Sequence, residues 1–203
     1  MQDLKKRRKP INLRDKIAFK TVKFMRLFAD AFFKKRYGHR AVVIETVAAI
    51  PGMVGAMLKH FQCLRRIKDD NGWIRKLLDE AENERMHLMT FIYIAQPTFL
   101  ERIIIILAQG IFGCFYLILY ILSPYTAHRL VGYLEEEAII SYLQYLKAVK
   151  EGDIPNIKAP ALAKEYWNLP DNAHLLNIIE AVIKDECKHR EANHSFANVL
   201  LKE

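Results

Sequence analysis

The stretch IRKLLDEAENERMHLMTF, residues 74–91, carries the pattern that decides the fold. Its apolar residues recur at helical spacing, and two chemically reactive side chains, Glu84 and His87, fall on the same face as those residues. A carboxylate in an apolar stripe costs free energy unless it is paired or binds a metal ion. The stretch therefore predicts a helix that turns a Glu-x-x-His pair into the core.

The C-terminal stretch, residues 170–201, repeats this arrangement with Glu186 and His189. At about 100° per residue, both side chains lie in line with the apolar residues of the same helix. A neighbouring Glu-x-x-His pair, Glu191 and His194, is rotated by about 140° from that face. We expect the first pair to be buried and the second to be mostly solvated.

Two further carboxylates stand alone on apolar helical faces. Glu45 lies among Ile44, Ala48 and other small or apolar residues, and Glu135 shares a face with Tyr142. One Glu from each of two helices, with Glu-x-x-His from each of two others, is the ligand set of di-iron or di-manganese carboxylate four-helix bundles. Hard oxygen ligands suit such metals, and carboxylates can bridge two of them. The residues alone therefore predict a two-metal helical bundle.

Composition agrees with a single all-α domain. The chain has 203 residues, of which 52% are hydrophobic, and its three cysteines are too far apart for a C-x-x-C zinc site or a disulfide scaffold. Six long helices and a short one near residues 161–167 can be read, with almost no strand alternation. We expect a basic tail over residues 1–12 and one domain over residues 13–203.

Two helices have features of a membrane-surface protein. Residues 1–40 hold 14 Lys or Arg and 3 Asp, and the helix predicted over residues 13–36 interleaves these charges with phenylalanines, which favours lipid over nucleic acid. A second helix, residues 98–123, contains 20 residues without a charge. A single span there would separate His87 from Glu135 across the bilayer. We therefore expect both helices to lie in one leaflet, the alternatives being a solvated tail and a buried core helix.

No secretory signal or long transit peptide is visible at the start of the chain. We therefore expect the inner face of a bacterial cytoplasmic membrane, with the matrix face of the mitochondrial inner membrane as the alternative.

Four motifs resemble the iron-binding motifs of the alternative oxidases, in the same order along the chain. They are Ile44-Glu45-Thr46, Asn83-Glu84-Arg85-Met86-His87, Leu134-Glu135-Glu136-Glu137-Ala138 and Asp185-Glu186-x-x-His189-Arg190. The likeness extends over roughly residues 35–200. It implies a ferritin-like di-iron four-helix bundle with two added membrane-interface helices, and a homodimer.

The resemblance also implies an activity. A terminal oxidase of this family oxidises two ubiquinols and reduces O2 to two waters, without pumping protons and without inhibition by cyanide. Its cofactor would be two Fe ions. By motif position the ligands would be Glu45, Glu84, His87, Glu135, Glu186 and His189.

Further roles follow from the resemblance alone. Tyr142 matches a tyrosine proposed to relay an electron. Four residues match the hydrogen-bonded groups around the metals, namely Asn83, His128, Trp167 and Asp185. Six others match positions lining the quinol cavity, namely Arg40, Ile44, Leu134, Glu137, Ala138 and Ser141.

Three other classes of protein stay open. A membrane-bound di-iron hydroxylase of quinone biosynthesis, or a plastoquinol oxidase, would share the ligands. An iron-storing ferritin-like protein would share the bundle, but a soluble cage has no use for a long apolar helix. A nucleic-acid binder is suggested only by the basic N-terminus, and we expect no such partner.

Overall fold

The computed structural model describes residues 7–202, so the first six residues of the expected basic tail lie outside the described part. Within it the chain forms seven α-helices, and the only extended pairing is one bridge between Lys158 and His174. The helices are α1 (Leu13–Phe33), α2 (Tyr37–Arg66), α3 (Trp73–Ala95), α4 (Phe99–Leu122), α5 (Pro124–Lys150), α6 (Ala161–Tyr166) and α7 (Leu175–Leu200). The predicted all-α class is confirmed.

Four helices form the bundle. α2 packs along α3, α5 packs along α7, and the two pairs meet around a common core. The α2–α3 pair is very close at Gly52, where an added Cβ would lie 2.4 Å from the Leu77 carbonyl oxygen. The small residues of α2 therefore let two backbones approach, which brings the acids of both helices within reach of each other.

Local sequence sets the helix ends. Thr98 and Glu101 form a capping box at the start of α4, and Ser123 caps α5, whose first residue is Pro124. The last predicted helix begins later than expected, at Leu175, because residues before it form a turn that ends at the cap His174.

The two remaining long helices, α1 and α4, pack on the outside of the bundle. α1 contacts α5, and α4 contacts α2 and α5. The apolar stripe of α1 faces outward, because Phe24, Leu27 and Phe28 are each more than 60% exposed. Only four of the 24 residues of α4 are buried. An exposed apolar surface of this extent is typical of a membrane or protein contact.

Two helices, α2 and α4, are long and apolar enough to cross a membrane. Within its most apolar stretch, α2 has 44% of its residues buried and α4 has 17%. α2 therefore packs one face into the bundle, whereas most of the apolar surface of α4 lacks a protein partner among the described residues.

A buried ion pair fastens α1 to the bundle. Asp15 of α1 and Arg129 of α5 are both fully buried, with Arg129 Nε donating to Asp15 Oδ1 over 3.0 Å. The hydroxyl of Tyr125 donates to the same oxygen over 2.6 Å. This network holds the basic helix in place from its first turn.

Candidate metal centre

The six carboxylates and histidines of the four motifs converge in the centre of the bundle. α2 supplies Glu45, α3 supplies Glu84 and His87, α5 supplies Glu135, and α7 supplies Glu186 and His189. All six side chains are buried. The helical register predicts this convergence, since each of the four motifs places its acid on the inward face of its helix.

The six residues form two overlapping groups, each able to hold a metal ion. Glu45 and His87 belong to one group, Glu135 and His189 belong to the other, and Glu84 and Glu186 belong to both. Within each group the potential ligand atoms lie within 4.8 Å of one another. A set of two shared and four unshared ligands suits two metals bridged by carboxylates.

The polar atoms of this cluster lack the partners that burial demands. Both carboxylate oxygens of Glu84 and Oε2 of Glu186 are buried without a hydrogen bond. His189 Nδ1 lies 2.6 Å from Glu84 Oε1, yet the geometry is not that of a hydrogen bond. Unpaired buried polar atoms are costly. Two divalent cations would satisfy them, so the donor set fits the di-iron centre that the resemblance implies.

Crowding of carboxyl groups changes their acidity. Burial, and then the neighbouring Glu45, raises the pKa of Glu84 well above its ordinary value. Burial and Glu186 do the same to the pKa of Glu135, and burial raises the pKa of Glu186 to about 8. A bound cation would compensate the buried carboxylate charge and lower these pKa values again, so binding of the cation would release the protons.

Tyr142 lies beside the cluster. Its hydroxyl donates a hydrogen bond to Glu45, and its ring stacks on Phe91 with 5.5 Å between centroids. Burial opposes ionisation of Glu45. The charge of His87 and the hydrogen bonds from His87 and Tyr142 outweigh this effect, so the pKa of Glu45 lies below its ordinary value. Burial and Glu45 raise the pKa of Tyr142. The pair is therefore a neutral phenol donating to a carboxylate.

Asp185 contacts two of the other residues assigned to the surroundings of the metals, and also the ligand His87. Its Oδ2 accepts from Trp167 Nε1 over 2.8 Å and from Asn83 Nδ2 over 3.2 Å, and lies 3.7 Å from Nε2 of His87. Burial is offset by these contacts and by Lys188, so the pKa of Asp185 lies well below its ordinary value. The ionised Asp185 can therefore orient the His87 ring, as carboxylates do for metal-bound histidines.

His128, the fourth residue of that set, contacts the cluster only indirectly. Its Nδ1 lies 2.9 Å from Asn193 Oδ1. Asn193 Nδ2 in turn donates to the His189 carbonyl over 3.1 Å and to Glu80 Oε1 over 2.7 Å. Burial lowers the pKa of His128 to about 4, so the ring is neutral.

Glu80 and Asn193 are buried polar residues that sequence reasoning missed. A signal for them exists, because Glu80 precedes Glu84 by one helical turn and Asn193 follows His189 by one turn. Each shares the inward face of its helix.

The expectation that Glu191 and His194 form a solvated pair is wrong for His194. Glu191 is exposed, but His194 is buried, with Nε2 lying 3.1 Å from Glu136 and Nδ1 lying 3.0 Å from Arg129. α7 is covered on this side by α5, which the periodicity of α7 alone does not reveal. His194 therefore belongs to the network that fastens α1, and it lies outside both metal-binding groups.

A largely apolar cavity of about 580 Å³ connects the outer helices with the cluster. It is lined by residues of α1, α2, α4 and α5, and at its inner end by Glu135. Four of the six residues assigned to a quinol cavity line it, namely Ile44, Leu134, Glu137 and Ala138. Arg40 and Ser141 are buried but are not part of this lining.

Cations of α1 and of the segment before it surround Glu137 at the cavity. Lys23 Nζ and Arg7 Nη2 lie 2.5 and 3.3 Å from Glu137 Oε1, and Arg26 Nη1 donates to the Glu137 carbonyl over 2.9 Å. Arg40 pairs with Asp30 over 2.7 Å, while its Nε and Nη2 have no hydrogen-bond partner. The basic helix thus forms one wall of an apolar cavity whose polar groups are few and localised.

Comparison with known proteins gives relatives along nearly the whole chain. Residues 2–198 match the model of the alternative oxidase family. Ubiquinol oxidase 2, mitochondrial, from Glycine max is 51% identical over 197 residues, which cover 97% of this chain and 59% of the relative. Ubiquinol oxidase, mitochondrial, from Mangifera indica is 52% identical over 200 residues, covering 98% and 63%.

A third relative, ubiquinol oxidase 1c, mitochondrial, from Arabidopsis thaliana, is 53% identical over 197 residues, covering 97% of this chain and 60% of the relative. The chain thus spans about three fifths of the length of the curated relatives it matches. The family match extends over all four motifs and all four bundle helices. The chain belongs to the alternative oxidase family.

Proposed function

We propose that the protein is a terminal ubiquinol oxidase, in which two ubiquinols are oxidised to ubiquinone and one O2 is reduced to two waters. As in its family, the reaction would neither pump protons nor be inhibited by cyanide. One observation carries the proposal: an apolar cavity large enough for a quinol head group reaches the Glu135 carboxylate of a buried two-metal ligand set. The names of the relatives supply the substrate, ubiquinol.

Two Fe ions would be held by Glu45 and His87 on one side and by Glu135 and His189 on the other, with Glu84 and Glu186 shared. When bound, they would supply the site of O2 reduction, for which the two quinols provide the four electrons. Asp185 would hold the His87 ring, because its Oδ2 lies 3.7 Å from Nε2. The assignment of iron, and of these ligands, rests on the donor set together with the family.

The cavity would receive the quinol from the lipid side. Its walls include exposed-face residues of α1 and α4, so an apolar substrate can enter without crossing water. Within it, Ile44, Leu134 and Ala138 would contact the ring, and the Glu137 carboxylate would accept a hydrogen bond from a quinol hydroxyl. The partnerless nitrogens of Arg40, at the start of α2, would donate to a quinol oxygen. By its motif position Ser141, which is buried on α5, would also lie near the quinol.

Tyr142 would relay an electron between quinol and the metal centre. Its hydroxyl donates to Glu45, so an electron can leave the tyrosine while its proton moves to that carboxylate. Tyr142→Phe should retain the bound iron and lower quinol oxidation by about 100-fold or more, as measured by O2 uptake. Near-full turnover in Tyr142→Phe would remove this role while leaving the metal site in place.

Product analysis separates the oxidase from its nearest rivals. We expect two quinols to disappear for each O2 consumed, with no hydroxylated product detected by mass spectrometry. A hydroxylated quinone in stoichiometric amount would instead identify a quinone-biosynthesis hydroxylase. Faster turnover with plastoquinol than with ubiquinol would identify a plastoquinol oxidase.

The protein would bind a membrane through one leaflet. The exposed apolar residues of α1 and α4 flank the mouth of the cavity, and the lysines between them would meet anionic headgroups. A single crossing by α4 would require the helices before and after it, which share the metal cluster, to lie on opposite sides. Flotation with anionic liposomes, without release by alkaline carbonate, is the expected result.

A homodimer is the remaining assembly prediction. An apolar row on α2 supports it, since Met53, Met57, Phe61 and Leu64 are each more than 40% exposed and recur at helical spacing. We expect twice the chain mass in detergent by light scattering. A monomer at micromolar concentration would contradict the assembly and leave the chemistry unaffected.

The compartment follows from the relatives by analogy. Their names place them in mitochondria, which favours the matrix face of the mitochondrial inner membrane over the inner face of a bacterial cytoplasmic membrane. Fractionation of the source cell distinguishes the two compartments.

A further inference from the structure

A second opening reaches the metal-binding cluster from the side facing away from the apolar cavity. This polar hollow, with a volume of about 520 Å³, lies between α3, α6 and α7 and is lined by Glu80, Asn83, Trp167, Asp185, Lys188 and His189 among others. His189 is a ligand of one metal-binding group. The cluster therefore has an apolar opening at Glu135 and a polar opening at His189.

The two openings differ in what they admit. A hydrated divalent cation is strongly disfavoured in an apolar cavity, because its hydration would have to be replaced by groups that the cavity lacks. The polar hollow instead offers carboxylate and amide oxygens, which are suitable ligands for such an ion. A cation that reaches the buried cluster through the folded protein is therefore expected to use the hollow.

Within the hollow, one carboxylate differs from the others in its surroundings. Asp79 pairs with Arg75 over 2.9 Å, and Asp185 pairs with Lys188 over 2.8 Å. Glu80 has no ion pair among the described residues, although it is only 5% exposed. Its single hydrogen bond, from Asn193 Nδ2 to Oε1, leaves Oε2 for another ligand.

The position of Glu80 relates it directly to the cluster. Glu80 precedes Glu84 by one turn of α3, and its partner Asn193 follows His189 by one turn of α7. Glu80 and Asn193 therefore lie about 6 Å along the helices from Glu84 and His189. Asn193 also donates to the His189 carbonyl. Glu80 and Asn193 thus lie between the solvent and the metal ligands. Burial raises the pKa of Glu80 to about 7, and His189 and the hydrogen bond from Asn193 oppose this rise only in part.

We propose that the polar hollow is the route by which divalent metal ions enter the cluster, and that Glu80 is the ligand that holds an entering ion before it reaches Glu84 and His189. This proposal rests on the proposed metal centre. It assigns to Glu80 a role in loading the protein, and none in the subsequent oxidation of quinol.

Metal uptake by the full-length apoprotein in detergent tests the route. Fe²⁺ or Co²⁺ would be added anaerobically, Co²⁺ binding would be followed by its visible absorption, and bound metal would be counted at the end. Glu80→Gln preserves the acceptor for Asn193 but removes the charge, and should slow uptake by about tenfold while the final two ions per chain are unchanged. Glu82→Gln is the matched control on the exposed face of α3 and should load at the normal rate.

Two further variants keep the test informative if Glu80→Gln folds poorly. Lys76 is an exposed residue at the rim of the hollow, so Lys76→Glu should speed uptake by at least about threefold. Ala138→Leu narrows the apolar cavity and should leave the uptake rate unchanged.

Three results would overturn the route. These are equal uptake rates in Glu80→Gln, Lys76→Glu and the unmodified chain, slower uptake only in Ala138→Leu, or a reduced final metal content in Glu80→Gln, which would make Glu80 part of the site. Failure of the unmodified chain to bind metal would instead contradict the proposed metal centre.

Discussion

The consecutive helices α4 and α5 show opposite relations between polarity and burial. α4 has a 20-residue stretch without a charge, yet only four of its 24 residues are buried. α5 carries His128, Arg129, Glu135 and Glu136, and 18 of its 27 residues are buried, including these four. In a water-soluble protein the apolar helix would lie inside. An exposed apolar α4 and a buried polar α5 are both explained if the outer surface of the protein faces lipid and its interior holds cations.

The buried acids of the two helices sharpen this contrast. Glu101 on α4 contacts Arg36 and lies 3.0 Å from His39, and burial is outweighed by these contacts and by its hydrogen bonds with Thr98, so its pKa is lowered. Glu135 on α5 faces Glu186 instead, and its pKa is raised. Glu101 and Glu135 therefore have similar exposure but different compensation of their negative charge. The protein compensates the charge of Glu101, whereas a metal ion would compensate that of Glu135.

The largest expected effect comes from exchanging these acids for amides. Glu135→Gln should reduce bound iron and abolish quinol-driven O2 uptake, since loss of a hydrogen-bonded partner alone costs about 10–100-fold in such sites and loss of a ligand costs more. Glu101→Gln should keep both, at a cost of about 1 kcal/mol in stability from the weakened cap. Iron analysis and denaturant unfolding measure the two. Equal iron loss in both variants would contradict the assignment of Glu135, and not Glu101, as a metal ligand.

The same substitution to lysine in α5 and in α4 compares the two helices through the free energy of unfolding. Ile139 of α5 is fully buried and Ile111 of α4 is 71% exposed. Ile139→Lys should destabilise the fold by about 4 kcal/mol or more, because it buries a charge, whereas Ile111→Lys should change stability by less than about 0.5 kcal/mol. Urea unfolding in detergent measures both.

The same Ile111→Lys variant should bind liposomes more weakly, because a charge replaces apolar surface in the bilayer. Normal liposome binding by Ile111→Lys, together with a large loss of stability, would show that α4 is a packed helix and not a lipid-facing one.

The ion pair between α1 and α5 gives an intermediate effect. Removing only one partner, as in Asp15→Leu, should cost about 3 kcal/mol or more, since Arg129 is left buried without its carboxylate. Replacing both, as in Asp15→Leu with Arg129→Met, should cost considerably less. A double-mutant cycle by thermal unfolding tests this, and additive losses would mean that the pair contributes no coupling.

The smallest predicted effect is a pH dependence of the apoprotein. The pKa values of Glu84, Glu135 and Glu186 are raised, so the stability that these carboxyls contribute is complete below about pH 4.5. It decreases as the pH rises through the folded-state value of Glu186, about 8. Metal ions would compensate the charge, so the difference in Tm between loaded and apo forms should widen by several degrees over this interval.

Calorimetry across pH 5–9 measures that difference. Asp185 and Glu45 have lowered pKa values, so their contribution changes in acid and outside this interval. Glu186→Gln, which does not titrate, is the control and should flatten the apoprotein's dependence. A constant difference in the unmodified chain would contradict the crowding of carboxyl groups.

Much of the fold and of the cluster could be predicted from the sequence, because both depend on helical register. The faces carrying Glu84, His87 and Glu186 are defined by residues within one helix, and so is the outward stripe of α1. The roles of Glu80, Asn193 and His194 depend on which helix packs beside them. Periodicity within α3 or α7 contains no information about that neighbour, so these residues were missed or wrongly placed outside.

The cavity shows the same division. Leu134, Glu137 and Ala138 lie within one turn of α5, and all three line it as the motif implies. Arg40 depends on the bend between α1 and α2, where it pairs with Asp30. A connection between helices has a geometry that a motif match does not specify.

One measurement tests the central claim most directly: cyanide-resistant O2 uptake by the purified protein in liposomes with ubiquinol as donor, with iron counted in the same sample. The account predicts sustained uptake with about two Fe per chain. Two irons without quinol-driven uptake would contradict the oxidase, and protein that is folded and bound to the liposomes but free of iron would contradict the metal centre itself.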